Sequence, residues 1–277
     1  MSEIENIAKQ MVAKGKGILA ADESTATMTK RLSSVNVEST PQNRLKFRET
    51  LFSAEGMKNH IGGVILYDET IKQKTSSGKS IPDLIKSFGS IPGIKVDTGA
   101  KKLAGSPEEK ITEGLDGLRE RLTEYYKLGA RFTKWRAVYN ISNKYPSELA
   151  VRSNAHALAR YAALVQEAKM VPIIEPEVLM DGEHDIMKCY EVTSKILNEC
   201  YKELKLHNVN LRGTILKPNM ILPGNKSKKV SATEIAKMTL KCIKENVPYE
   251  VPGIAFLSGG QTEIEATQNL NEVNKIN

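Results

Sequence analysis

The chain has 277 residues, with 40 Lys+Arg against 33 Asp+Glu, a net charge of +7, 40% hydrophobic and 26% charged residues. That length buries a sizeable core in one domain, and the ordinary charged fraction argues against a disordered chain. No apolar stretch reaches the ~18–20 residues of a membrane span, and Met1–Lys16 mixes acids and bases without a signal-peptide core. The mild basic excess suits an anionic small molecule, and with no zinc-finger, RRM or basic-helix signature no nucleic-acid partner is expected.

Seven short apolar runs read as buried parallel strands: Gly17–Asp22, Gly63–Asp68, Gly93–Asp97, Ala130–Val138, Val171–Glu177, Gly213–Lys217 and Gly253–Ser258. Amphipathic stretches separate them. In Gly114–Leu128 the residues Leu115, Leu118, Leu122, Tyr125 and Tyr126 recur at helical spacing, with Gly129 as a stop. Ser147–Lys169 opens on a Ser N-cap, and Asp185–Leu206 repeats Ile186, Cys189, Val192, Ile196, Cys200 and Leu204 along one face. Thr233–Asn246 and Thr262–Lys275 follow the same pattern. The β/α alternation, without any G-x-G-x-x-G turn, predicts a TIM (β/α)8-type barrel cut short after about seven units, as one domain over residues 1–277.

Cys189, Cys200 and Cys242 fall on apolar helix faces, and no C-x-x-C occurs. His60, His156, His184 and His207 stand apart in the sequence. These features read as reduced thiols and unligated histidines in a cytoplasmic protein, with no metal and no cofactor expected.

The informative feature is charge inside the strands. Asp22 and Glu23 follow the first, Lys95 and Asp97 lie in the third, Lys134 and Arg136 in the fourth, Glu175 and Glu177 in the fifth, and Lys217 in the sixth. Residues i and i+2 share a strand face, and in a barrel such faces converge at the C-terminal mouth. Several strands with charge at one level are costly to explain as structure alone, because each ion loses its hydration. Lys217, in Thr214–Asn219 (T-I-L-K-P-N), is placed to be desolvated beside Lys134, with a depressed pKa that frees the amine to form a Schiff base. Glu175 and Glu177 would move protons, and Asp22 would take one from a hydroxyl. Ser258–Gly260 (S-G-G), leading to a helix at Thr262, would hold one phosphate; Lys95 and Arg136 with Ser24 and Thr27 would hold a second. One anion at each end of a carbonyl compound describes a sugar bisphosphate.

Seven segments carry a resemblance: Gly15–Ser24 (G-K-G-I-L-A-A-D-E-S), Gly93–Asp97 (G-I-K-V-D), Lys134–Arg136 (K-W-R), Val171–Glu177 (V-P-I-I-E-P-E), Asp181–Asp185 (D-G-E-H-D), Leu216–Met220 (L-K-P-N-M) and Phe256–Gln261 (F-L-S-G-G-Q). Along its whole length the chain resembles class I fructose-1,6-bisphosphate aldolase. The resemblance implies metal-independent, reversible cleavage of fructose 1,6-bisphosphate to dihydroxyacetone phosphate and glyceraldehyde 3-phosphate. It implies Lys217 as the Schiff-base lysine and Glu175, with Glu177 beside it, in the acid/base steps. Asp22 and Lys134 would support C–C cleavage, Lys95, Arg136, Ser24 and Thr27 would lie toward the 6-phosphate, and Ser258 and Gly259 would hold the 1-phosphate. It also implies a homo-oligomer, the family being usually tetrameric.

The sequence departs from the family pattern in three ways. An eighth strand with a Ser-Tyr-Gly-Arg segment and a tail ending in tyrosine have no counterpart here, and Thr98 and Thr27 stand where Lys and Ser are usual. Open edges on the first and seventh strands are therefore expected. An alternative function is that of an inactive aldolase-like protein that binds, for example, actin filaments. A weaker one is another Schiff-base barrel enzyme, such as a transaldolase or deoxyribose-phosphate aldolase.

Overall fold

The computed structural model describes residues Met1–Asn277. Helix α1 (Glu3–Met11) precedes β1 (Gly17–Ala21), and α2 (Thr25–Ser33), α3 (Pro41–Phe52) and the single turn α4 (Met57–His60) lead to β2 (Ile61–Leu66). α5 (Asp68–Ile71) and α6 (Ile81–Ser87) lead to β3 (Ile91–Lys95). Next come a hairpin of β4 (Gly99–Leu103) and β5 (Ser106–Glu113), α7 (Leu118–Lys127) and β6 (Phe132–Tyr139). α8 (Glu148–Glu167) precedes β7 (Val171–Val178), and α9 (Ile186–Leu206) and a 3-10 turn at Leu211–Gly213 precede β8 (Ile215–Leu216). α10 (Ala232–Asn246) and α11 (Glu263–Ile276) complete the order.

Local chemistry sets most helix starts. Ser24, Thr40, Ser80, Ser147, Asp185, Ser231 and Thr262 each accept the backbone amide three residues on, a cap worth about 1 kcal/mol apiece. The sheet runs β1-β2-β3-β6-β7-β8, every neighbour parallel. Its alternating residues divide between two cores. Val64, Leu66, Ile94, Trp135, Ala137, Ile174 and Leu216 face outward into a cluster shared with the helices. Ile65, Phe132, Val171, Ile173 and Ile215 form a separate cluster with Ala8 and Met11 of α1. Residues of β2 and β8, with three strands between them, meet in this inner cluster only because the sheet is curled into a half-barrel.

Two glycines make room for that inner core. A Cβ on Gly93 would lie 2.3 Å from the Phe132 ring, and one on Gly63 would lie 2.9 Å from it. Phe132 therefore fills the base of the half-barrel, and α1 closes it from below. The charged residues of β6 and β7 lie on the same strand face, farther along toward the C-terminal ends.

Two expectations need correction. The hairpin β4–β5 interrupts the alternation between β3 and β6, and its five- and eight-residue strands are antiparallel. The expected seventh strand, Gly253–Ser258, is reduced to one bridge, Ile254 with Leu216, and backbone bonds from Leu216 to Gly253, Ala255 to Leu216 and Leu257 to Pro218. Pro218 and Pro252 lack the N–H that a longer ladder requires. The outer edge of β1 has no ladder partner. Val12, after α1, packs against Gly253, where a Cβ would stand 2.5 Å from its side chain.

Candidate active site

The inner faces of β6 and β7, the residue after β8 and the turn after β1 converge on a four-group charge cluster. Lys217 Nζ donates to Glu175 Oε1 at 2.5 Å. Lys134 Nζ lies 2.7 Å from Asp22 Oδ2 and 3.3 Å from Glu175 Oε2. All four side chains are largely shielded, with exposures of 13% for Lys217, 4% for Glu175, 6% for Lys134 and 14% for Asp22. Two cations and two carboxylates cancel, which is what makes such burial tolerable. Strand periodicity places them: Lys134 and Arg136 share the inner face of β6 with Phe132, and Glu175 and Glu177 that of β7 with Ile173.

Charge state follows from these contacts. For Lys134, burial works to lower the pKa, but Glu175 and then Asp22 outweigh it and hold the ammonium above the usual lysine range. For Asp22, burial works to raise the pKa, but the charge and hydrogen bond of Lys134 outweigh it and hold the carboxyl below its ordinary value. Lys134 and Asp22 are thus a fixed ion pair at neutral pH.

A second layer lies toward solvent. Arg136 Nε donates to Glu177 Oε2, and the Arg136 amide donates to Asp97 Oδ2 at 3.3 Å. Asp97 also holds Lys95, whose Nζ lies 2.6 Å from its Oδ1. Asp22, Ser24, Thr27, Lys95, Lys134 and Arg136 line one cleft of about 510 Å³. Thr98 lines it as well. Ser24 Oγ and Thr27 Oγ1 are 3.1 Å apart at the start of α2.

Of the expected site residues, Lys217, Glu175, Glu177, Ser258 and Gly259 do not line that cleft. Lys217 and Glu175 reach it through Lys134. Gly259 sits over Glu177, since a Cβ there would lie 3.0 Å from Glu177 Oε1. The Thr262 helix start is less free than the sequence suggests. Thr262 N donates to Glu265 Oε2 and Glu265 N to Thr262 Oγ1, so a capping box occupies two of the amides expected to meet a phosphate.

Sequence reasoning missed two arginines. Arg31, four residues after Thr27 on α2, lines the same cleft and pairs with Glu23 at 2.5 Å. Arg48 is fully buried and donates to the Glu23 carbonyl and to Thr70 Oγ1, fixing the turn that carries Asp22 and Ser24. An amphipathic reading of α3 would have put Arg48 in water; its burial became visible only with the partner atoms in place. The histidines need a correction too: His156 and His207, on different helices, meet with ring centroids 5.0 Å apart. All three cysteines are free and buried, as their helix faces suggest.

A family model described as "Fructose-bisphosphate aldolase class-I" matches residues 3–277. The chain is 52% identical over 277 residues to a "Probable fructose-bisphosphate aldolase class 1" of Xanthomonas campestris pv. campestris, covering 100% of this chain and 83% of that one. It is 54% identical over 262 residues to "Fructose-bisphosphate aldolase 6, cytosolic" of Arabidopsis thaliana, covering 95% and 73%. A solved structure of fructose-bisphosphate aldolase from Plasmodium falciparum, in complex with TRAP and a small-molecule inhibitor, superposes with a TM-score of 0.97 at 44% identity, over 99% of this chain and 80% of that one.

Proposed function

We propose that this chain, which belongs to the class-I fructose-bisphosphate aldolase family, reversibly cleaves fructose 1,6-bisphosphate into dihydroxyacetone phosphate and glyceraldehyde 3-phosphate in glycolysis and gluconeogenesis. The observation that carries this reading is the 2.5 Å contact between the shielded Lys217 amine and Glu175.

In the proposed reaction Lys217 gives a proton to Glu175 and attacks the ketose carbonyl; the C–N bond forms as the C=O π bond breaks, and the oxygen takes a proton from the attacking nitrogen to give the carbinolamine. Glu175 returns a proton to the hydroxyl of the carbinolamine, which departs as water and leaves an iminium ion. Asp22 takes the proton of the hydroxyl beside the scissile bond. The C–C bond then breaks, its electron pair flows to the iminium nitrogen, and the aldehyde leaves. Protonation of the resulting enamine and hydrolysis of the imine return Lys217 and the second triose phosphate. Lys134, held cationic, stabilises negative charge developing near Asp22. Arg136, Lys95, Ser24 and Thr27 would receive the 6-phosphate, and Ser258 and Gly259 the 1-phosphate.

The aldolase names of the relatives do not favour a role confined to filament binding. No helix is long and apolar enough to cross a membrane, and relatives named cytosolic support a place in the cytoplasm. The test is release of triose phosphate from fructose 1,6-bisphosphate. Turnover should persist in EDTA and vanish in Lys217→Ala; turnover retained in that variant would overturn the proposal.

A further inference from the structure

Helices α8 and α9 run parallel on the outside of the sheet, offset by 47 positions in sequence. Glu148 meets Lys195 at 3.0 Å across their seam, and two turns on His156 meets Glu203, Nδ1 to Oε2, at 3.1 Å. His207 stands one helical turn after Glu203, with Nδ1 3.6 Å from the same Oε2. One donor atom from each of His156, Glu203 and His207 lies within 4.8 Å of the other two. We infer that these three side chains form a binding site for a divalent transition metal ion, zinc by preference, that clamps α8 to α9.

The chemistry fits. Two imidazoles and a carboxylate are a three-ligand set suited to zinc, with solvent completing the shell. Bonds of about 2.0–2.2 Å in a tetrahedral shell put donor atoms roughly 3.3–3.6 Å apart. The two contacts with Glu203 are already close to that spacing; metal binding would bring the two rings together and free His207 Nδ1 from the Glu203 carbonyl oxygen, now 2.9 Å away. His156 is half-exposed, so its ring is free to turn. Cavities of about 580 and 470 Å³ flank the cluster, one lined by His156 and the other by His207. Asp116 and Arg160 border both, so the approach is open to water and carries charge of both signs. Hydrogen bonds already engage both rings, His156 Nδ1 with Glu203 Oε2 at 3.1 Å and His207 Nδ1 with the Glu203 carbonyl oxygen at 2.9 Å, so the inference rests on the convergence of three ligating side chains across the seam. The thiols do not compete, since Cys189, Cys200 and Cys242 are all buried. The role is structural: neither histidine lines the cleft that holds Lys134 and Asp22.

The full chain, stripped with EDTA, is dialysed against zinc chloride and analysed for metal, with melting followed in parallel. About one equivalent should bind at micromolar zinc and raise the melting temperature, reversibly with EDTA. His156→Ala and His207→Ala should each weaken binding about tenfold or more and abolish the thermal shift. Cobalt(II) bound to the unsubstituted chain should show the visible absorption of a low-symmetry nitrogen-ligated ion, a readout that does not depend on how the variants fold. Loading or a thermal shift unchanged in the double variant would overturn the inference. So would no zinc bound at ~1 mM, far above the range expected of a three-ligand site. None of these results depends on whether the chain cleaves a sugar bisphosphate.

Discussion

Lys134→Met isolates the ion pair that organises the site. The Lys134 ammonium is 6% exposed and is shared by Asp22 at 2.7 Å and Glu175 at 3.3 Å. Methionine keeps most of the volume and removes the charge. Glu175 retains Lys217 as a partner, whereas Asp22, 14% exposed, loses its ion pair. Removing one member of a buried pair costs about 3–5 kcal/mol. With a urea m-value of about 3 kcal/mol/M for a chain of this size, the unfolding midpoint should fall by roughly 1–1.7 M. Adding Asp22→Asn neutralises the stranded carboxylate. The double variant should therefore be more stable than Lys134→Met alone, a coupling of at least about 1 kcal/mol. The assay is urea unfolding of the four proteins of the cycle, followed by tryptophan fluorescence and circular dichroism. A single-variant loss below about 1 kcal/mol, or strictly additive losses, would refute the reasoning, because the pair would then not be carrying buried charge.

Three further outcomes follow from the same geometry. Asp22 has a folded pKa below its ordinary value, so its contribution to stability is complete above the usual carboxylate range and is lost as pH falls through the lowered value. Melting temperature between about pH 4 and pH 2 should then fall less steeply in Asp22→Asn, and equal slopes would contradict this. Gly93→Ala places a methyl 2.3 Å from the Phe132 ring and should destabilise by about 1–3 kcal/mol. A second change, Phe132→Leu, should recover part of that loss in thermal melts, and no recovery would place the strain elsewhere. Arg31→Ala, at the rim of the cleft, should raise KM for the bisphosphate more than it lowers kcat; an unchanged KM would remove Arg31 from substrate binding.

The sequence made the inner charge ring readable because strand periodicity is local. Given a strand at Phe132–Tyr139, Lys134 and Arg136 must share a face, and the same holds for Glu175 and Glu177. Helix starts were legible for a similar reason, since Ser147 and Asp185 cap within three residues of themselves. What the sequence hid depends on register between distant elements. Arg48 becomes a buried scaffold only when α3 meets the turn after β1. His156 and His207 become neighbours only through the parallel offset of α8 and α9. The seventh strand was over-read because an apolar run signals burial against a sheet, whereas a ladder also needs N–H groups that Pro218 and Pro252 lack. The β4–β5 hairpin escaped notice because Lys101, Lys102, Glu108 and Lys110 break the apolar pattern on an exposed ribbon.

Covalent trapping tests the central claim most directly. The chain is incubated with dihydroxyacetone phosphate, reduced with sodium borohydride, digested, and mapped by mass spectrometry. The account predicts a stable secondary-amine adduct on Lys217 and none in Lys217→Arg. An unmodified Lys217, or labelling that moves to another lysine and survives the substitution, would contradict it.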